Sequence, residues 1–255
     1  MRVTNRAVPS PSVLSRAFTL LRCFQEDETR VGVTELAQRA ALPKATTHRM
    51  LQEMIKLGIV ERNGTGYQIG ISLFELGQLA SKTHTLRDAA FPQLARLREM
   101  TGATVHLVVP DGTDVVYLEK LVGPRGPKIL TRIGGRMPAY CTGLGKAVLA
   151  HSSAHTVRTA LEAELRRRTP RTITMPGILN RELDAVRKTG VAYEFEESAV
   201  GVVCTAAPIL DAQHVAVAAI SASGRGNLLD PRRVAPAVRE AADSISGSLS
   251  DFLSR

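Results

Sequence analysis

The sequence VTELAQRAALPKATTHRMLQEMIKLGIVER, which ends at Arg62, constrains the fold of this chain more than any other segment. Its apolar residues recur at helical spacing on both sides of Pro43, which lacks an amide hydrogen and disfavours helix in the residue before it. The pattern predicts a first helix capped by the Thr34 hydroxyl, a turn at Leu42-Pro43 and a second helix that starts near Lys44. The segment therefore predicts two helices that meet at a tight turn.

The second of these helices carries polar and basic side chains at its start, largely opposite the apolar residues Met50, Leu51, Met54 and Ile55. This arrangement is typical of a helix whose first turns enter the major groove of DNA. A helical hairpin with a solvated polar face gives the same pattern, so the two helices alone leave both interpretations open. The residues of this helix that we predict to contact DNA are Lys44, Thr46, Thr47, His48 and Arg49.

A short hairpin is predicted directly after the second helix. Residues 59–62 and 67–69 read as two strands, and Asn63-Gly64 between them tolerates the positive φ angles of a hairpin turn. Two helices followed by such a hairpin form a winged helix. Arg62 stands where a wing residue contacts phosphate or the minor groove, although an arginine near a turn is often only solvated.

Charge and cysteine content agree with a DNA-binding protein inside the cell. The net charge is +9 over 255 residues, and residues 1–70 carry an excess of four basic side chains, which favours a polyanionic partner. The three cysteines match no spacing of a zinc site, so we predict no metal and no cofactor. Without a signal peptide or a long apolar run, the chain is expected to be cytoplasmic, with reduced thiols and no membrane partner.

The rest of the chain alternates helices with strands. A helix over Val13–Phe24 is expected to pack behind the two-helix unit, and a connecting helix is predicted over Ile71–Leu86. From Phe91 onward the periodicity predicts an α+β domain with an antiparallel sheet. Its elements are helices over 91–100, 142–151, 178–188 and 231–253, and strands over 103–109, 114–121, 128–133, 191–197, 202–211 and 215–224.

The strand pattern of this second domain predicts a cavity. Side chains alternate along a strand, so Ser221 and Ser223 share one face of theirs, and Cys204 shares a face with Val202 on the strand before it. The glycines at 143 and 145 offer backbone amides at a helix start, which suits an anion. Each of these residues is also compatible with an ordinary core position, so the pattern alone leaves the cavity open.

The chain from about Ser12 to Phe252 resembles the IclR family of bacterial transcriptional regulators. The resemblance rests on SVLSRAFTLLRCF, LPKATTHRMLQEMIKLGIVER and YQIGISLFELG in the first domain. In the second domain it rests on GGRMPAYCTGLGKAVLA, ELDAVRKTGVAYEFEE, GVVCTAAPILD and AAISASG. It implies an N-terminal winged helix-turn-helix domain, a linker helix, a C-terminal GAF-like effector domain, and dimers that often pair into tetramers. The domain bounds that follow are a flexible basic arm at 1–11, the winged helix at 12–72, the linker helix at 73–90 and the effector domain at 91–255.

The resemblance also implies an effector site for a small organic or aromatic acid. Two positions depart from the family pattern. The acidic strand position is Glu194, where some members have Asp, and Leu144 stands where Ala is found, so the ligand need not be the same small keto acid. Met137 and Tyr140 are candidates for shaping the cavity. The residues carried over by motif are Gly143, Leu144, Glu194, Val202, Cys204, Ser221 and Ser223.

These observations together predict a ligand-controlled transcription factor, more a repressor than an activator, that binds double-stranded operator DNA as a homodimer or dimer of dimers. We expect it to control a catabolic or metabolic operon. The alternative from another class is an enzyme in which Cys204 acts as nucleophile with His106 or His214 as base. It is disfavoured because an apolar strand does not lower the pKa of a thiol. An architectural DNA-binding protein with an inactive sensor domain is a third possibility.

Overall fold

The structure is a computed structural model that describes residues 12–25, 30–124, 126 and 131–253. The predicted basic arm at 1–11 therefore lies outside the described residues. The chain forms two units, one spanning residues 1–81 and the other residues 82–255. The α+β class predicted from the sequence is confirmed, with a helical winged unit followed by a unit built on an antiparallel sheet.

The first unit is a winged helix around a small apolar core. Leu20, Leu36, Leu51 and Val60 are fully buried at its centre. Val31 forms an isolated antiparallel bridge with Tyr67, which adds a single residue beside the two strands of the wing. The elements are α1 (Val13–Leu21), α2 (Val33–Arg39), α3 (Lys44–Lys56), β1 (Val60–Asn63), β2 (Gly66–Ile69) and α4 (Ile71–Gln78).

The turn between α2 and α3 follows the sequence prediction, but the cap of α2 does not. Helix α3 begins at Lys44 directly after Pro43, as predicted. The prediction that Thr34 caps α2 is wrong, since the helix already begins at Val33 and Gly32 occupies the cap position without a side-chain hydrogen bond. The wing turn is as expected, because Gly64 adopts a φ of 58°.

The predicted linker helix is divided in the structure. Helix α4 ends at Gln78, and the next helix, α5, spans Ser81–Thr101. The amides of Leu79 and Ala80 donate to carbonyls three residues back, at 3.1 and 3.2 Å, so the α-helical ladder tightens and stops. A single helix over Ile71–Leu86, or over 73–90, is therefore a wrong prediction.

The second unit is built on a six-stranded antiparallel sheet in the order β5-β4-β3-β8-β7-β6. Residues 131–133 of the predicted strand 128–133 are not strand, residues 128–130 are outside the described residues, and the edge is formed by β5 instead. Helix α7 was not predicted. The strands are β3 (Thr104–Asp111), β4 (Asp114–Leu121), β5 (Arg136–Pro138), β6 (Ala192–Phe195), β7 (Val202–Leu210) and β8 (Ala216–Arg225); the further helices are α6 (Gly143–Ala150), α7 (Ala154–Glu162), α8 (Pro176–Thr189) and α9 (Pro231–Leu253).

The two faces of this sheet carry separate apolar cores. One face packs against α6 and α8 through residues such as Val108, Leu144 and Leu183. The other packs against α5 and α9 through residues such as Leu107 and Ile245. Successive side chains of a strand point to opposite faces, which is why the neighbours Leu107 and Val108 belong to different cores.

Helix α6 is buried over its whole length, and its start is fixed by two contacts. The Thr142 hydroxyl accepts a hydrogen bond from the Gly145 amide at 3.0 Å, which caps the helix. A Cβ on Gly145 would lie 2.2 Å from the Cα of Ala139, so only glycine allows the helix to approach the preceding 3₁₀ turn (Ala139–Cys141) this closely. The start of α6 therefore lies directly against the sheet.

A buried ion pair ties the same helix to the segment after β6. Lys146 of α6 is 1% exposed, and its Nζ lies 2.5 Å from Oε1 of Glu197. Burial raises the pKa of Glu197, and the Lys146 ammonium opposes that rise. Removal of one partner of such a pair leaves an uncompensated charge in the interior.

We therefore predict that Lys146→Met lowers the free energy of unfolding by about 3–5 kcal/mol, whereas Lys146→Met combined with Glu197→Leu restores most of the loss. Urea denaturation followed by circular dichroism measures both values. In the single variant the folded state favours protonated Glu197, so the deficit shrinks as the pH falls below the raised pKa of this carboxyl and grows as the pH rises. Lys188→Met, an exposed lysine of α8, is the control, with a change within about 0.5 kcal/mol. A double variant as unstable as the single one contradicts the prediction.

Candidate functional site

The start of α3 presents a basic surface to solvent. Lys44, His48 and Arg49 are exposed, and a spacing of four residues places Lys44 and His48 on the same side of the helix. Thr46 is half-buried at the edge of this surface. The three exposed side chains can donate hydrogen bonds, as side chains that contact DNA phosphates and the edges of nucleobases do.

Thr47 is the exception among the residues predicted for this surface. It is completely buried, and its hydroxyl donates to the Pro43 carbonyl at 3.1 Å. Thr47 precedes Leu51 by four residues and Met54 by seven, so it faces the core with them. The prediction that Thr47 lies on the polar face is therefore wrong, and the DNA contact predicted for this residue loses its basis.

The wing adds two further cations. Arg62 is exposed, and its guanidinium carbon lies 5.5 Å from the centre of the Tyr67 ring, a cation–π distance. Arg30 was not predicted as a site residue. Its Nη1 lies 3.6 Å from the place where a Cβ on Gly64 would stand, so this guanidinium lies beside the wing turn. The pairing of Val31 with Tyr67 brings Arg30 there, and this contact between distant segments has no local sequence signal.

The second unit contains a cavity of about 800 Å³ between the start of α6 and the sheet. The structure brings together six of the seven residues predicted for an effector site in its wall. Ser221 is not part of this wall, although it is buried on the same face of β8 as Ser223. Met137 lines the cavity as well, whereas Tyr140 points its hydroxyl to the Arg166 carbonyl at 2.7 Å. The predicted residues in the wall are Gly143, Leu144, Glu194, Val202, Cys204 and Ser223.

Strand register explains why these residues meet. Glu194 of β6 pairs with Cys204 of β7, and Cys204 pairs with Ser223 of β8, so the three side chains form a row across the sheet. Two residues earlier on β8, Ser221 pairs with His106 of β3. Cross-strand partners share a face, so His106 belongs to the same wall.

Glu194 is held by donors of the protein itself. Its Oε2 accepts from the Gly143 amide at 3.2 Å, and its Oε1 accepts from the Ser198 amide at 3.0 Å and from the Ser198 hydroxyl. Burial raises the pKa of Glu194, while these hydrogen bonds and the Lys146 ammonium act in the opposite direction. The Gly143 amide, which the sequence predicted to be open to a ligand, is thus already hydrogen-bonded to Glu194.

The cavity also contains residues that the sequence prediction missed. His106 is 1% exposed, its Nε2 lies 3.0 Å from Oγ1 of Thr131, and its Nδ1 has no hydrogen-bond partner among the described residues. Its ring lies edge-on to Tyr117, with 5.2 Å between the ring centres. Arg168 and Arg225 line the cavity and are exposed, so they stand at its mouth. Arg168 belongs to the basic run Arg166-Arg167-Arg168, and sequence alone does not show that the loop carrying this run crosses a cavity.

Neither Cys204 nor His106 of the cavity wall is activated for nucleophilic catalysis. Burial, with a smaller contribution from Glu194, raises the pKa of the Cys204 thiol to about 12. Burial and the nearby Lys120 lower the pKa of His106 to about 3, so the imidazole is neutral and a weak base. His214 is exposed and is absent from the cavity wall. The arrangement predicted for the enzyme alternative is therefore not formed, since a reactive cysteine needs a lowered thiol pKa.

The environments of the three thiols predict an order of cysteine reactivity. Cys23 is partly exposed, whereas Cys141 and Cys204 are buried with thiol pKa values raised to about 12. With iodoacetamide at about pH 8, Cys23 should be alkylated well before the other two, which should react only after unfolding. Mass spectrometry of proteolytic fragments measures the order, and a Cys23→Ser variant serves as the control. Rapid alkylation of Cys204 in the folded protein contradicts the assignment.

Within the described part of the chain, no three His, Cys, Asp or Glu side chains cluster in a way that binds a metal ion. Every helix of the described residues is too short or too polar to span a lipid bilayer.

The two units match two parts of one known family. Residues 13–64 match the IclR helix-turn-helix domain, and residues 78–247 match the bacterial transcriptional regulator IclR C-terminal domain. The second match alone covers more than half of the chain.

Relatives and solved structures are similar over most of their length. The HTH-type transcriptional regulator KdgR of Escherichia coli (strain K12) is 36% identical over 217 residues, which are 84% of this chain and 82% of the relative. The transcriptional repressor IclR of the same organism is 35% identical over 83% of this chain and 79% of its own. A crystal structure of an IclR homolog from Microbacterium hydrocarbonoxydans, complexed with 4-hydroxybenzoate, has a TM-score of 0.85 at 30% identity and covers 93% of this chain and 99% of that one.

The winged helix with its basic surface, the cavity beside α6, and these matches agree. The chain belongs to the IclR family of bacterial transcriptional regulators, and it is a DNA-binding, ligand-responsive regulator and not an enzyme.

Proposed function

We propose that this regulator is a cytoplasmic repressor of a catabolic or metabolic operon, which it releases when a small organic or aromatic acid binds in the cavity of the second unit. The observation that carries the proposal is the cavity of about 800 Å³, large enough for a small aromatic acid. Support also comes from the relative named a transcriptional repressor and from the homolog that was crystallised with 4-hydroxybenzoate. We assign the effector contacts to the six predicted residues of the cavity wall, Gly143, Leu144, Glu194, Val202, Cys204 and Ser223.

The proposed DNA contacts come from α3 and the wing. Lys44, His48 and Arg49 are the exposed side chains at the start of α3, with Thr46 at the edge. The wing cations Arg62 and Arg30 are suited to phosphate or the minor groove, because both are exposed and positively charged.

We predict that Arg49→Ala weakens binding to a duplex selected from a random pool by about 1–3 kcal/mol, since a bidentate arginine contact to a base has that value. Lys44→Ala should weaken binding to all sequences alike and reduce the salt dependence by about one counterion. Fluorescence anisotropy at several salt concentrations measures both effects.

The matched control is Lys56→Ala, at the far end of the same helix, where the lysine pairs with Glu53. This variant should bind the duplex like the unaltered protein. If Arg49→Ala combined with Lys44→Ala binds as tightly as the unaltered protein at physiological salt, the start of α3 is not the DNA-contacting surface.

We further propose that the regulator binds a two-fold symmetric operator as a homodimer or as a dimer of dimers. Two helices of the first unit expose large apolar side chains, which a stable monomer ordinarily buries. Helix α4 exposes Phe74 at 61% and Leu76 at 59%, and α1 exposes Leu14 and Phe18. A dimer also presents two copies of α3 to half-sites separated by about one helical turn of DNA or a multiple of it.

Light scattering at micromolar concentration is therefore expected to give the mass of a dimer or a larger assembly. Replacing Phe74 and Leu76 with Glu should shift the equilibrium towards monomer, because charge on an apolar interface is costly to desolvate. Glu75→Gln, between them, is the control and should leave the mass unchanged. A monomer for the unaltered protein contradicts the assembly and the symmetric operator together.

Control of transcription requires that the effector bind the DNA-competent and DNA-incompetent states with different affinities. A cognate acid must therefore change the dissociation constant of the operator complex in the anisotropy assay. An acid that binds the protein without changing that constant is not the effector.

A further inference from the structure

The part of the cavity wall at the start of α6 offers no net positive charge to an anion. Three ionisable side chains are buried around the start of α6, namely the carboxylates Glu194 and Glu197 and the ammonium of Lys146. Lys146 is already paired with Glu197 at 2.5 Å, and Glu194 accepts a hydrogen bond from the Gly143 amide. With both carboxyls ionised the three groups sum to one negative charge, and with one of them protonated they sum to zero. A ligand carboxylate is therefore not stabilised there.

The mouth of the cavity has the opposite character. Arg168 and Arg225 both line the cavity and are exposed. Neighbouring arginines of the same loop are paired: Arg166 lies 2.9 Å from a Glu164 oxygen, and Arg171 lies 3.8 Å from a Glu196 oxygen. Neither Arg168 nor Arg225 has an acidic partner within the described part of the chain. Two unpaired guanidinium groups at one opening are suited to a carboxylate.

A neutral polar group faces the cavity deeper on the sheet. His106 is 1% exposed, lines the cavity and leaves its Nδ1 without a partner among the described residues. Its cross-strand neighbour Ser221 is buried on the same face of the sheet. Arg225 follows Ser221 by four residues on β8, and this spacing corresponds to about 13 Å along the strand. The backbone of Arg225 and that of the paired residues Ser221 and His106 are thus separated by roughly the length of a small elongated ligand with its hydrogen bonds.

We propose that the effector is an elongated hydroxy or oxo acid whose carboxylate binds Arg168 and Arg225 at the mouth and whose uncharged oxygen hydrogen-bonds to His106 on the sheet. This inference rests on the proposed function and adds the direction in which the ligand lies. It makes His106, Arg168 and Arg225 determinants of effector specificity. The carboxylate is then distant from the Gly143 amide, which remains bonded to Glu194.

The first arm of the test uses the unaltered full-length protein and matched ligands. The acids are 4-hydroxybenzoate, 4-hydroxyphenylacetate and 6-hydroxyhexanoate, each compared with its carboxamide and with the acid that lacks the hydroxyl. Isothermal titration calorimetry measures the dissociation constants. The best acid should bind at least about tenfold more tightly than either of its two analogues, a factor that corresponds to about 1.4 kcal/mol.

The second arm separates the two ends of the ligand with variants. Arg168→Gln combined with Arg225→Gln should raise the dissociation constant of the acid about tenfold. The dissociation constant of the carboxamide should stay within about twofold of its value for the unaltered protein. His106→Phe, which keeps an aromatic ring beside Tyr117, should weaken the hydroxy acid about tenfold and leave the acid without the hydroxyl within about twofold. Arg166→Gln, an exposed arginine of the same loop outside the cavity wall, is the control and should bind both ligands normally.

The outcomes are distinguishable. If an acid of the panel binds and releases the operator but the double arginine variant weakens acid and carboxamide equally, the proposed direction is overturned while the proposed function stands. The proposed direction is also overturned if Ser223→Ala weakens binding of the acid more than binding of the carboxamide while the arginine variant has no effect. That result places the carboxylate at the row of Glu194, Cys204 and Ser223. If no acid of the panel binds, the proposed effector class falls and this inference falls with it.

Discussion

The close packing of α6 against the sheet is the constraint on which the second unit depends. Gly145 lets the helix approach Ala139, and the Thr142 hydroxyl satisfies an amide of the first turn that has no partner within the helix. Because the helix is buried from its first residue, its Lys146 ammonium needs a buried counter-charge, which Glu197 supplies. The position of the cavity, beside the helix start and above the row of small side chains on β7 and β8, follows from this packing.

The same packing decides what the cavity accepts. A helix start ordinarily attracts an anion through its free amides. Here the Gly143 amide already donates a hydrogen bond to a carboxylate of the protein, Glu194, so this amide is not free to attract a ligand anion. A ligand that took this amide would leave a buried carboxylate with fewer donors, at a desolvation cost comparable to a lost charged hydrogen bond. The unpaired hydrogen-bonding capacity lies elsewhere, at His106 and at the two arginines of the mouth.

The sequence was sufficient at several positions where a local rule decides the structure. Pro43 fixes the start of α3, Asn63-Gly64 fixes the wing turn, and two-residue alternation places Cys204 and Ser223 on one face. The sequence was insufficient where the position of a residue depends on an exception to a local rule or on a contact with a distant segment. Thr47 is polar, yet its hydroxyl is satisfied by the Pro43 carbonyl, so the residue can be buried at a core position of the helix.

Helix α7 and the mouth of the cavity show two different reasons for missed elements. The signal for α7 was present, since Ser153 caps it and Val157 and Ala160 are buried at helical spacing. No local signal marks Arg168 as a cavity residue, because its position depends on the loop between α7 and α8. That loop is held to the segment after β6 by hydrogen bonds from the Thr169 and Thr172 hydroxyls to the carbonyls of Glu196 and Glu197. A contact between segments more than 20 residues apart belongs to the tertiary fold, and only the folded chain brings the cation to the opening.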